Sequence, residues 1–176
     1  VQEGAAVPVL PELLEDGRPL SALLLSPPGG GKTTLLRDLG RLLSQGSALA
    51  EPVRVALVDE RGELAAVLRG RPQLEVGCHT DVMDGCPKAL AVPMLLRAMT
   101  PEVIALDEVA LPADVEAVCA AAGCGAALLA TVHAASVRDL GERPVGRALL
   151  ECGVFRRAVL IEGRGRERRS RVERLP

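Results

Sequence analysis

Aromatic residues are almost missing from this sequence: among 176 residues there is no Trp, no Tyr and a single Phe, Phe155. A chain so short of flat π-faces has no platform on which successive bases could stack, which argues against a stacking binder of single-stranded nucleic acid. Lysine is nearly as scarce, with only Lys32 and Lys88 beside nineteen arginines. Long apolar runs are missing too. The least polar stretch, Ala117 to Val132, is broken by Gly123 and Gly125 and is largely alanine, so no transmembrane helix is expected. The five cysteines (Cys78, Cys86, Cys119, Cys124 and Cys152) are odd in number and lack a repeated C-x-x-C spacing, which argues against a disulfide framework or a zinc finger. That usage fits a reducing, cytoplasmic compartment. No signal-peptide succession runs from Gln2 to Arg18, and the opening on Val1 rather than Met predicts a chain that starts within a longer protein.

The length suits one α/β domain with a buried core. With 48% hydrophobic residues and one aromatic, that core must be built from Leu, Val and Ala. The net charge of -2 is unevenly spread, because Arg164, Arg166, Arg168, Arg169, Arg171 and Arg174 face only Glu167 and Glu173. Such a tail is a weak signal for nucleic acid or an anionic membrane, and it reads more simply as a solvated strand of a terminal hairpin. The expected organisation is a lead-in over 1–19, one domain over 20–163 and a basic segment over 164–176.

Apolar runs predict strands at Leu20–Leu25, Val53–Val58, Val103–Leu106, Ala126–Val132 and Ala158–Glu162. Helical spacing predicts helices over Lys32–Leu43, Glu63–Leu68, Pro87–Met99, Ala113–Ala122 and Val145–Cys152. The segment Gly70–Gly85, rich in Gly and Asp without a period, predicts a loop. Strands alternating with helices imply a mostly parallel sheet covered on both faces, a three-layer α/β architecture.

Ser26-Pro-Pro-Gly-Gly-Gly31-Lys32-Thr33 fits the phosphate-loop pattern G-x-x-x-x-G-K-[ST] everywhere except the first position, where Ser26 stands for Gly. The pattern lies between a predicted strand and a predicted helix, the context the chemistry requires. Pro28, Gly29, Gly30, Gly31, Lys32, Thr33 and Thr34 are the candidate nucleotide contacts: backbone N–H groups and a helix N-terminus would hold the β-phosphate. Lys32 would bridge the β- and γ-phosphates, and the Thr33 hydroxyl would ligate Mg²⁺. An arginine-rich chain that keeps a lysine here keeps a compact ammonium where a phosphate loop uses one.

Val103-Ile-Ala-Leu-Asp107-Glu108 reads as the matching Walker B strand, delivering an acid pair to the carboxyl edge of the sheet. Asp107 would hold Mg²⁺ through water, and Glu108 would orient and polarise the attacking water. ATP is favoured over GTP, because the sequence has no N-K-x-D motif and no D-x-x-G after Asp107. With no aromatic near the loop, adenine would rest on aliphatic side chains and backbone. Asp59-Glu60-Arg61 and Thr131-Val132-His133 close two further strands on the same edge, which makes Glu60 and His133 candidates beside Glu108 and Lys32 for a catalytic set.

Together, Val58-Asp-Glu-Arg61, Asp84-Gly-Cys-Pro-Lys-Ala89, Leu96 through Glu108 and Ala130-Thr-Val-His133 resemble the stage III sporulation protein AA family, itself similar to the type II and type IV secretion ATPases. The resemblance implies a RecA-like P-loop core acting as a Mg²⁺-dependent ATPase. It also implies a homo-oligomeric ring, hexameric by preference, that energises a secretion-type channel in endospore formation. Asp59 and Glu60 would stand at the family's acidic box and His133 at its histidine box. Arg61, Arg97, Arg138 and Arg143 are candidates to complete a neighbour's site. The implied partners are membrane channel components, with the protein peripheral on the mother-cell side of the forespore membrane; nucleic acid is not the expected partner. Two other readings remain open from sequence: a RecA-like nucleic-acid motor using the arginine tail, and a scaffold that binds ATP with little turnover.

Overall fold

The computed structural model describes residues 4–163 and 168–176; Arg164 and Arg166 of the basic segment lie outside them. A 3-10 turn (Leu10–Leu13) leads into a minimal hairpin of β1 (Leu14–Glu15) and β2 (Arg18–Pro19). There follow β3 (Ala22–Ser26), α1 (Lys32–Gln45), β4 (Val55–Asp59), β5 (Thr80–Asp84), α2 (Lys88–Ala98), β6 (Val103–Leu106) and α3 (Pro112–Ala122). The chain finishes with β7 (Ala127–His133), α4 (Val137–Glu142), α5 (Pro144–Glu151), β8 (Arg157–Glu162) and β9 (Arg169–Arg174).

Seven strands form one sheet in the order β5-β4-β6-β7-β3-β8-β9, parallel throughout except for the final β8–β9 hairpin. The inner strands are continuous apolar runs because both of their faces are covered. Alternate residues divide between two cores: Leu23, Leu25, Val58, Ile104, Leu106, Leu128 and Leu160 face α2, α3 and α5. Leu24, Leu57, Ala105, Leu129 and Val159 face α1, whose Leu35, Leu36, Leu39 and Leu43 fill the other side. This is the three-layer α/β architecture expected from the strand and helix pattern. The lead-in packs onto the α1 face, burying Ala6, Val9, Leu10 and Leu13, and the Ala6 N–H donates to the Asp38 carboxylate at 2.9 Å.

Two local expectations are corrected. Glu63–Leu68 is not a helix. The buried Asp59 carboxylate accepts from the backbone N–H groups of Glu63, Leu64 and Ala65, and Ala66 adopts φ +49°, which together wind the chain into irregular turns. The expected loop Gly70–Gly85 contains β5, an edge strand on β4. Its sequence Thr-Asp-Val-Met-Asp is half-exposed and has no apolar run to announce it. A further helix, α4, follows β7; Ser136 caps it by accepting from Asp139 N–H at 3.1 Å.

Candidate functional site

Parallel pairing brings the carboxyl ends of β4, β6, β7 and β3 to one edge in that order, and with them Asp59, Asp107, His133 and Ser26. Ser26 and His133 are direct register partners. The loop leaving β3 then turns into α1. Gly29 and Gly31 adopt φ +74° and +94°, in the left-handed region where a Cβ is strained. Gly30 is required for a different reason: a Cβ there would fall 2.2 Å from Ser26 Oγ. Ser26, the departure from the pattern, thus fills the space beneath a glycine. It lies within the strand, where no special backbone angle is needed.

Lys32 is buried, only 6% exposed, and its ammonium is wrapped by the protein itself. Nζ donates to Ser26 O at 2.9 Å, to Pro27 O and Ser26 Oγ at 3.2 Å, and to His133 Nδ1 at 2.9 Å. Burial pushes the Lys32 pKa down from its ordinary value, and the carboxylates of Asp107 and Glu108 oppose that shift. With Nδ1 accepting from the Lys32 ammonium, the ring proton sits on Nε2, which lies 3.6 Å from Glu108 Oε1.

Asp107 is held at both oxygens. Thr33 Oγ1 donates to Oδ2 at 3.0 Å, and Thr131 Oγ1 donates to Oδ1 at 2.6 Å. The same Thr131 hydroxyl accepts from Glu108 N–H at 2.7 Å, and Glu108 itself adopts φ +51°. One fully buried hydroxyl therefore fixes the acid pair, a part that sequence alone did not assign to Thr131. The Glu108 side chain is half-buried and forms an ion pair with Arg61. The site thus contains a continuous series, Lys32 to His133 to Glu108 to Arg61, running from the loop toward solvent.

The remaining candidates are placed elsewhere. Asp59 is only 1% exposed and spends its oxygens on the backbone that follows it. Glu60 pairs with Lys88 at 2.5 Å, tying the β4 exit to the first residue of α2 rather than to the loop lysine. Both lysines of the chain are therefore buried and engaged. Of the four arginines considered for a neighbouring site, Arg61 holds Glu108, Arg138 lies 3.6 Å from Glu142 and Arg143 lies 3.2 Å from Asp139. The Asp139 carboxyl is lowered by the Ala135 N–H and then by Arg143. Arg97 is exposed, with no ion pair among the described residues.

A model of the family described as sporulation stage III, protein AA matches residues 1–172. The chain belongs to the stage III sporulation protein AA family. It is 43% identical over 154 residues to stage III sporulation protein AA of Bacillus subtilis (strain 168), a match covering 88% of this chain and 50% of that protein. The chain thus spans about half the length of this relative. Among solved structures, the fold is similar to the Legionella pneumophila ATPase DotB, with TM-score 0.63 at 18% identity, covering 97% of this chain and 48% of that one. It is also similar to the ADP-bound pilus retraction motor PilT, with TM-score 0.62 at 17% identity, covering 89% and 48%. At those identities the likeness establishes the fold, a RecA-like P-loop core of the kind found in secretion ATPases, as the family resemblance implied.

Proposed function

We propose that this chain binds Mg²⁺-ATP on the loop from Pro28 to Thr34 and hydrolyses it, as the motor domain of a longer sporulation protein that energises a secretion-type channel. The observation carrying this reading is the Thr33–Asp107 hydrogen bond, which joins the loop hydroxyl to the acid of a different strand beside a buried lysine. Two oxygen donors 3.0 Å apart suit a hard cation that keeps most of its water. Thr33 would ligate Mg²⁺ directly and Asp107 through water, and bound Mg²⁺ neutralises charge on the phosphate oxygens.

Lys32 would exchange the carbonyls of Ser26 and Pro27 for the β- and γ-phosphates. Glu108 would exchange Arg61 for the attacking water and accept its proton, while Thr131 keeps the carboxylate on station. His133, touching Lys32 on one side and facing Glu108 on the other, would couple phosphate occupancy to the posture of the base. Glu60 would support catalysis from its Lys88 tie by steadying the turn that carries Arg61. A homo-oligomeric ring, hexameric by preference, and channel components at the mother-cell side of the forespore membrane are proposed on the strength of the family. Arg97 is the arginine left to serve a neighbouring subunit. No helix among the described residues is long and apolar enough to cross a membrane.

The direct test is calorimetry of Mg²⁺-ATP binding to wild type and Lys32→Ala. Loss of a charged donor to phosphate should weaken binding by about a hundredfold while leaving the fold intact. Equal affinities would remove the phosphate-loop assignment.

A further inference from the structure

Arg168, the residue just before β9, turns inward and lies against the phosphate loop. A Cβ built on Gly31 would fall 2.5 Å from both Cζ and Nη1 of Arg168 and 2.8 Å from Nη2. Near-equal distances to three atoms of the guanidinium mean that its flat face, not its edge, covers Gly31. Among the described residues, its Nε is buried without a hydrogen-bond partner, and no carboxylate pairs with it. No ion pair among the described residues explains an arginine placed this way.

The guanidinium also forms one wall of a cavity of about 240 Å³. Ala5 and Pro8 of the lead-in, Leu35 of α1 and Ile161 of β8 supply apolar walls, and Ser170 supplies a hydroxyl. A second cavity flanks the loop on the side of Pro27 and Pro28, but its ionisable wall is Glu162, the wrong sign for a phosphorylated ligand. The Arg168 cavity therefore combines a planar cation, aliphatic walls and direct contact with the loop. In a chain with no Trp or Tyr and a single Phe, the Arg168 guanidinium is the planar π-system that this cavity offers for stacking.

We infer that this cavity seats the purine ring of the bound nucleotide, with Arg168 as the positioning residue that stacks on it. The inference rests on the nucleotide-binding reading above. The base is held by stacking and shape, with little reading of its edge, so purines are preferred to pyrimidines.

The test uses the full-length protein with Mg²⁺ and three probes: ATP, CTP and inorganic tripolyphosphate. Arg168→Ala should weaken ATP binding about tenfold, the scale of one stacked base. It should leave tripolyphosphate unchanged and bring ATP close to CTP. Arg168→Lys, which keeps the charge and loses the plane, should show most of the same loss, with melting temperature confirming that both variants fold. Equal losses for ATP and tripolyphosphate, or full rescue by Lys, would assign Arg168 to the phosphates and overturn the purine seat. Unchanged ATP affinity in Arg168→Ala would overturn it as well, while a Lys32→Ala variant that no longer binds would keep the phosphate loop standing. If Lys32→Ala also binds ATP normally, the nucleotide reading fails and takes this inference with it.

Discussion

Replacing Thr131 with Val removes one oxygen while keeping the β-branched shape that the strand holds. The hydroxyl it deletes makes two contacts, 2.6 Å to Asp107 and 2.7 Å from Glu108 N–H, and Thr131 is fully buried. Each contact leaves a polar partner short, at about 1–3 kcal/mol apiece; Asp107 and Glu108 are only half-buried, so water recovers part of this. A net cost of about 2–4 kcal/mol follows, or a fall of roughly 10 °C in Tm for a domain of this size. Turnover should suffer more than nucleotide affinity, because Glu108 sits at φ +51° and its backbone loses the contact that holds it there. A base displaced by about 1 Å can lose on the order of a hundredfold in rate. Thr131→Ser provides the control: it keeps the hydroxyl, deletes a methyl at about 1 kcal/mol, and should retain most activity. Calorimetric unfolding and phosphate release on the same preparations separate the two effects. If Val and Ser behave alike in turnover, Thr131 is packing, and its role in aiming the acid pair is refuted.

Glu108→Gln should retain Mg²⁺-ATP binding and lower turnover by about a hundredfold, the scale of a general base; full activity would move that role to another carboxylate. Lys32 has a folded pKa below its unfolded value, so the unfolded chain binds more protons and stability should rise with pH between those two values. Phosphate favours the ammonium, so ATP affinity should fall over that same interval. Thermal unfolding and titration calorimetry across the alkaline range check both slopes, and Lys32→Met should flatten both; a wild type with neither slope would contradict the buried ammonium.

The inner strands were legible because burial on both faces writes itself as unbroken apolar runs, as in Leu23-Leu-Leu25 and Val103-Ile-Ala-Leu106. β5 was not, since an edge strand gains its order from β4 rather than from its own composition. The Glu63–Leu68 turns went unread because of a nearby side-chain competitor, the Asp59 carboxylate four to six residues upstream, whose capture of three N–H groups outweighs helical spacing. At the site, Lys32, Thr33, Asp107 and Glu108 were marked by motif spacing and element order. Thr131 and Arg168 carry no such mark: one acts on residues more than twenty positions away, and the other reaches Gly31 only once the terminal hairpin has closed. Arg61 was visible as a charge, but its pairing with Glu108 depends on β4 and β6 lying side by side.

Both lysines are interior, at 6% and 5% exposure, so the permanent positive charges this domain shows to solvent on its side chains are guanidiniums. Amine-directed reagents therefore have almost nothing to modify on its outer side chains, and lysine acetylation or ubiquitin attachment cannot retune its surface. What such reagents can still report is the interior. Slow modification of Lys32 or Lys88 measures how often the core around the site opens, and a ligand seated on the loop would register as a change in that rate.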